Sequence, residues 1–348
     1  MEDTRGHKKV EGELEGEARR RFTRAVLLDL QALEQMIDAK LLETGVPRIG
    51  AEQELFLVDR TFRPAPGALR VLELLNDPHF TTELALFNLE INADTQTFGA
   101  DGLSRMEAQL SALYERVREA SAQIELMPIL TGILPTIEKN DLGLENMVPS
   151  PRYQALNRAM TAARGESYDF LIKGLDELNV KHESVMVEAC NASFQVHLQV
   201  DPDDFARLYN VSQMLAAPVL AVATNSPMLF GRRLWNETRI ALFEQSVDTR
   251  PSGHHLREST SRVSSGSRWA KQSVLEIFKE DVVRFRPLVG TDLDENPLET
   301  LARGEIPQLK ALRLHNGTIY RWNRACYGVY EGRPHLRIEL RVLPSGPS

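Results

Sequence analysis

Apolar residues recur every three or four positions over residues 19–44, where Phe22, Val26, Leu30, Leu33 and Ile37 form one stripe. This spacing predicts an amphipathic helix ended by Gly45 and Pro47. Immediately after it the period changes. Residues 49–58, IGAEQELFLV, read as a largely buried strand with glutamates at alternate positions, Glu52 and Glu54. Side chains at i and i+2 of a strand share a face, so the two carboxylates stand side by side and repel. A buried, unpaired carboxylate is costly enough that it normally takes up a proton. The pattern therefore asks for an open, hydrated face or for something cationic.

Further along, a short helix is stopped by Asn76-Asp77-Pro78, and residues 82–92, TELALFNLEIN, predict a strand. Residues 103–126 carry the strongest helical pattern, with Leu103, Met106, Leu110, Leu113 and Val117 on one face. Residues 127–135 predict a buried strand, 136–151 a polar loop, 153–178 a helical region, and 184–200 a long strand broken at Asn191. Residues 203–225 predict a helix interrupted at Pro218, 249–268 a loop rich in Ser, Gly and Arg, and 271–287 a helix followed by a strand. A pair of strands follows over 315–324 and 335–343. Helices between strands, with some strands in hairpin-like pairs, predict an α+β fold with a substantial antiparallel sheet. Residues 1–18 read as a disordered lead-in and 19–348 as a single domain.

Four of the strand-like segments carry polar groups that a plain core strand avoids. Besides Glu52 and Glu54 there is Glu90 in FNLEIN, then Gln195, His197 and Gln199 in strict alternation, then Arg337, Glu339 and Arg341 at the same period of two. Each alone has an ordinary explanation. A polar face is usually the solvated side of an antiparallel sheet, a single histidine is more often structural than a ligand, and Arg-Glu-Arg can be a cross-strand ladder. Four together imply convergence on one side of one sheet. Oxygen-rich clusters of that kind suit Mg²⁺ or Mn²⁺. Arginine forks suit a phosphoryl group or a carboxylate. The combination reads as a funnel for a nucleoside triphosphate.

The net charge of −8 over 348 residues disfavours a nucleic-acid partner. Two cysteines, no apolar leader at the N-terminus and no long apolar run lead to the expectation of a cytoplasmic protein without a membrane partner. No glycine-rich dinucleotide or P-loop pattern and no C-x-x-C or H-E-x-x-H pattern occurs.

GAEQELFLVD resembles the G-x-E-x-E strand of the second glutamate–cysteine ligase family. In the family's order follow FNLEIN, TGILP, VPSPRYQALN with its Arg-Tyr pair, ACNASFQVHLQVD, LAAPVLAVATNSPMLFG and the closing RIELR. The resemblance implies a glutamine synthetase-like catalytic fold, a curved, mostly antiparallel sheet forming a funnel with helices on its outer side. It implies phosphorylation of the γ-carboxylate of glutamate by ATP and displacement of phosphate by an amine, cysteine being the first candidate. Carried across, Glu52, Glu54, Glu90, Gln195 and Glu339 would be metal ligands and His197 a neighbour of metal or nucleotide. Arg341 and Arg239 would contact phosphate or the glutamate carboxylate, Arg152 and Tyr153 would close the substrate site, and Arg337 would contact nucleotide or substrate. The chain departs from the family pattern at RRLWNETR, and only seven residues follow Arg341 where plant-type relatives continue. A shorter branch or missing C-terminal elements would account for that. The helix over 19–44 could pack on the domain or on a second copy, as in a homodimer.

Three other readings stay open at this level: a guanidino phosphotransferase on the same fold, a nucleotide- and metal-binding protein with little turnover, and a metal-dependent hydrolase.

Overall fold

A computed structural model describes residues 11–13, 16–250, 260–291, 293 and 295–346. Of the expected disordered lead-in over 1–18, residues 1–10, 14 and 15 lie outside the described residues, while Glu11–Glu13 form a short strand paired with Val289–Gly290 and residues 16–18 already belong to a helix; residues 251–259 of the expected loop over 249–268 also lie outside the described residues.

An eight-stranded antiparallel sheet organises the chain. Its strands are β1 (Arg48–Val58), β2 (Phe80–Thr82), β3 (Asn88–Asn92), β4 (Gln96–Thr97), β5 (Met127–Ile129), β6 (Ser193–Val200), β7 (Asn323–Tyr330) and β8 (Arg333–Pro344). The order is β7-β8-β6-β1-β3-β2, with β4 and β5 pairing to opposite ends of β1. The sheet curls into a half-barrel, so the expected α+β fold with a curved antiparallel sheet is the one observed.

The helices are α1 (Gly16–Asp38), α2 (Ala68–Leu75), α3 (Gly102–Ala122), α4 (Pro151–Arg164), α5 (Phe205–Ala223), α6 (Arg239–Ser246), α7 (Leu275–Arg284), α8 (Pro297–Ala302) and α9 (Lys310–Asn316). Alternation on β1 sends Leu55 and Leu57 to one face, where they pack with Val71 of α2 and Leu113 and Val117 of α3. Helix α5 lies along β8, and α1 packs on α7, α8 and α9. The face of β1 bearing Glu52 and Glu54 continues into Phe56 and Val58, which join the main core around Phe22, Leu33 and Met36 of α1. A polar half and an apolar half thus share one strand face.

Several sequence-based boundaries move. Residues 82–92 are no single strand. The chain turns between β2 and β3, where Leu84, Ala85 and Phe87 are buried and Leu86 N donates to Asn146 O; a buried turn carries the apolar content that reads as strand. Helix α4 stops at Gly165, whose φ of 75° suits glycine, and the region beyond is a hairpin, Tyr168–Lys173 with Glu177–His182. Residues 185–190 are a 3-10 helix capped by Ser184, whose hydroxyl accepts from Met186 N, so the strand begins only at Ser193. Beyond β5, the TGILP segment leaves the sheet. A Cβ on Gly132 would fall 2.8 Å from Pro344, 2.9 Å from Arg239 Cδ and 3.0 Å from Asn225 O, so only glycine fits that crossing. Helix α1 ends at Asp38, short of Gly45. Residues 315 and 316 close α9 rather than open a strand, and α5 runs through Pro218 unbroken.

Asp29, on the inward face of α1, accepts a hydrogen bond from Leu312 N at 2.9 Å in the first turn of α9. Helix α9 has no cap from its own N-cap side chain, so α1 supplies one from a distance. Burial pushes the Asp29 carboxyl up to about 6 despite these bonds. Asp29→Ala leaves buried N–H groups unpaired, and the expected loss is about 2 kcal/mol in urea denaturation. Asp29→Asn should recover most of it.

Candidate active site

The register of the sheet assembles the site. Glu54 pairs with Glu90 across β1 and β3, and Glu52 pairs with Gln195 across β1 and β6. His197 pairs with Glu339 across β6 and β8, and Glu339 with Arg324 across β8 and β7. Directly paired residues project to the same face, so the four polar strand faces become one surface. They line a cavity of about 360 Å³, joined by Glu83, Glu188, Arg152, Tyr153, Arg313, Tyr320, Cys326, Arg337 and Arg341.

The wall has two electrostatic ends. At the acidic end, carboxylate oxygens of Glu54, Glu83 and Glu90 lie within 4.8 Å of one another. Glu54 accepts from Ser193 N (2.6 Å), Ser193 Oγ (2.7 Å) and Gln195 Nε2 (2.9 Å); burial still outweighs these bonds and raises its pKa. Glu90 accepts from Asn92 Nδ2 at 2.7 Å and Thr81 Oγ1 at 3.0 Å, yet burial and the charges of Glu52 and Glu54 push it up to about 7. Glu83 is raised further, by burial and then by Glu90 and Glu54. Glu188 also rises to about 7, through burial and the charge of Glu54. With no cation these groups lower their repulsion by holding protons. A hard divalent ion with oxygen ligands suits that donor set.

At the basic end, Glu339 Oε1 is held by Arg341 Nη1 and lies 3.1 Å from Arg324 Nη2. Its Oε2 accepts from the Cys326 thiol at 3.1 Å. Burial would raise Glu339, but Arg324 and Arg341 outweigh it and hold it well below the usual carboxylate range. Arg341 Nη1 also donates to Gln195 Oε1. The Nε–H groups of Arg324, Arg337 and Arg341 are buried with no hydrogen-bond partner, donors suited to an anionic ligand. Glu52 sits between the two ends. His197 Nε2 stands 2.8 Å from Glu52 Oε1 without the alignment of a hydrogen bond. Burial pushes the Glu52 pKa up, but His197 and Arg341 together outweigh it and lower it.

Of the residues singled out in the sequence, Glu52, Glu54, Glu90, Arg152, Tyr153, Gln195, His197, Arg337, Glu339 and Arg341 all line this cavity. Arg239 does not. It starts α6 behind the wall, buried, with Nη1 donating to Glu237 Oε1 at 2.9 Å and Val342 O at 3.1 Å. Gln199 bonds Glu43 and Arg48 at the sheet's margin. The five expected metal ligands also separate: Glu54 and Glu90 join the acidic cluster, Glu52 stands by His197, Glu339 is held by arginines, and Gln195 bridges the two ends, donating to Glu54 and accepting from Arg341. Sequence reading missed Glu83, Glu188 and Arg324. Glu83 has one available signal, since a hairpin in TTELALFNLE would bring it back beside Glu90.

The raised carboxyls make stability depend on pH. Between their ordinary value of 4.5 and about 7, the unfolded chain has released protons that the folded chain keeps, so stability falls as pH rises through that window. In calorimetry of EDTA-treated protein, Tm should drop from pH 5 to pH 7.5. Millimolar Mg²⁺ or Mn²⁺ should restore it at pH 7.5 and do little at pH 5.

A model of the family described as glutamate-cysteine ligase family 2 matches residues 48–272, from the first residue of β1 to a point before β7 and β8. Among solved structures, the chain is similar to a bifunctional glutathione synthetase from Pasteurella multocida, at 12% identity and a TM-score of 0.44, over 92% of this chain and 37% of that one. It is also similar to a glutamate–cysteine ligase from Francisella tularensis in complex with AMP, at 13% identity and a TM-score of 0.30, over 51% of this chain and 34% of that one. The chain thus spans little more than a third of the length of either. A comparison with curated proteins finds no match. Among the described residues no helix is long and apolar enough to cross a membrane.

Proposed function

The chain belongs to glutamate–cysteine ligase family 2, and on that footing we propose that it is an ATP-dependent ligase joining the γ-carboxylate of glutamate to an amine, with cysteine the first candidate. The observation that carries the reading is the division of one cavity into a carboxylate cluster and a set of incompletely paired guanidinium groups. That is the environment a triphosphate and a second anionic substrate need together.

In this reading Glu54, Glu83 and Glu90 would hold Mg²⁺ or Mn²⁺, with Glu52 beside them. When bound, the ion supplies charge neutralisation at phosphate oxygens. Arg341, braced by Glu339 and Gln195, and Arg337 orient the transferring phosphoryl group. The glutamate γ-carboxylate oxygen bonds to the γ-phosphorus as the bond to ADP breaks. The amine then bonds to the acyl carbon and phosphate leaves. Arg152, beside the Tyr153 ring, stands at the substrate end; Tyr153 donates to Thr82 O at 3.1 Å and so ties α4 to β2. Glu188, which lines the cavity and is raised to about 7 by burial and the charge of Glu54, would receive the proton the amine gives up. Arg239 supports the wall from behind.

Coupled ADP release with glutamate, in Mg²⁺ and in Mn²⁺ and across a panel of amines including cysteine, tests the reading. Release should require glutamate, and hydroxylamine should trap γ-glutamyl hydroxamate. A guanidino phosphotransferase forms no hydroxamate, a silent binding protein releases no ADP, and a hydrolase acts without ATP.

A further inference from the structure

Helix α4 is a partition with a cavity on each side. Leu156 and Met160, one turn apart, line the catalytic cavity, and Arg152 and Tyr153 enter it from the first turn of the same helix. Arg158, Thr161 and Gly165 share another face of α4 at helical spacing. They form one wall of a second cavity, of about 940 Å³, within the size range of small-molecule sites. Its other walls are the 3-10 turns over residues 139–146 and the end of the hairpin strand Glu177–His182 with Glu183 and Ser184. Asn157 Oδ1 accepts from Val185 N at 3.2 Å, which ties the partition to the segment that bears Glu188.

Three kinds of group meet in this second cavity. Lys139 and Arg158 are cations with no ion-pair partner among the described residues. Lys139 also lies close to His182, whose pKa is lowered by burial and then by that charge. Lys181 is engaged elsewhere, 3.4 Å from Asp169. The opposite sign comes from Glu183 and Glu166 and from the C-terminal end of α4, where the helix dipole is negative. Leu142 and Leu144 add apolar surface, and Leu144 is 55% exposed to it.

We propose that this cavity is a second ligand site, for a zwitterion of the amino-acid type with an apolar side chain, coupled to the catalytic cavity through α4. The carboxylate would meet Lys139 and Arg158, the ammonium would meet Glu183 and the carbonyl end of α4, and the side chain would cover Leu142 and Leu144. A nucleotide or other phosphate dianion fits less well, because the two glutamates and the helix end oppose it. An uncharged molecule leaves both cations unpaired. Pressure on the Arg158 face of α4 is felt at Arg152 and Tyr153, so occupation should act on the binding of the ligase's substrate.

Titration calorimetry of the whole chain with L-leucine and L-phenylalanine tests the site, and L-leucyl-L-leucine distinguishes a peptide from a free amino acid as its occupant. At least one of the three should bind. For the leucine frame, L-leucinol, which lacks the carboxylate, and 4-methylpentanoate, which lacks the ammonium, should each bind at least ten-fold more weakly. The double substitution Lys139→Glu and Arg158→Glu, at two exposed positions, should abolish binding with unchanged far-UV circular dichroism. No binding by any of the three, equal binding of leucinol, or binding that survives the double substitution overturns the site. In the wild-type chain the bound probe should change KM for glutamate at least two-fold, and in the double variant it should not. That arm rests on the ligase reading: an unchanged KM overturns the coupling, whereas absence of glutamate-dependent turnover overturns the ligase reading and leaves calorimetry to decide the site.

Discussion

Glu90→Gln should lower glutamate-dependent ADP release about a thousandfold and at the same time raise the Tm of the cation-free protein. The two effects have one origin. Glu90 keeps Asn92 and Thr81 as donors in either form, and glutamine fills the same volume. What disappears is a negative charge beside Glu54 and Glu83, in a place where burial already holds the carboxyl near pH 7. Above that pH the charge costs the folded state roughly 3 kcal/mol, and removing it returns that stability. For the proposed ligase the same charge holds a cation, and a thousandfold loss corresponds to about 4 kcal/mol of transition-state stabilisation. Calorimetry in EDTA and a coupled ADP assay check the pair of effects. A variant with unchanged turnover would remove Glu90 from the cation site; a variant with a lower Tm would show that its charge is compensated in the folded protein.

Arg341→Leu has the opposite stability sign. Arg341 is the buried cation on which Glu339 and Gln195 converge, and its charge also acts on Glu54 and Glu52. Without it Glu339 retains Arg324, but the two β1 glutamates lose compensation, and breaking a buried pair from one side costs roughly 3–5 kcal/mol. Urea denaturation should register that loss along with loss of activity. Arg341→Lys keeps the charge without the fork, so it should recover most of the stability and little of the turnover. If Arg341→Lys were fully active, the arginine would be acting as a charge alone.

The sheet face was readable in the sequence because β1, β6 and β8 each alternate strictly, and alternation survives any choice of neighbour. Glu52/Glu54, Gln195/His197 and Glu339/Arg341 could be assigned to faces before their partners were known. What alternation does not carry is register or return path. Glu83 was hidden by a buried turn whose Leu84, Ala85 and Phe87 mimic a strand. Glu188 was hidden inside an apolar 3-10 helix that reads the same way. Arg324 lies at the start of β7, but the expected strand over 315–324 ends there, so no alternation beyond it assigns Arg324 to a face. Arg239 shows the converse: a short motif places an arginine near the site, but only packing shows it behind the wall, held by Glu237 and Val342. The reach of Asp29 to α9 leaves no periodic trace at all.

The bond between Arg341 and Gln195 joins positions 146 residues apart. Contacts of that separation close late, because the entropy of the intervening loop must be overcome first. During synthesis the acidic half of the cavity, carried by β1, β3 and β6, therefore leaves the ribosome well before Arg324, Arg337 and Arg341. Until β8 inserts between β6 and β7, the nascent chain is a negatively charged, open-edged sheet. Insertion of β8 covers the open edge of β6 and brings Arg337 and Arg341 to the cavity, so closing that edge and completing the site are a single event.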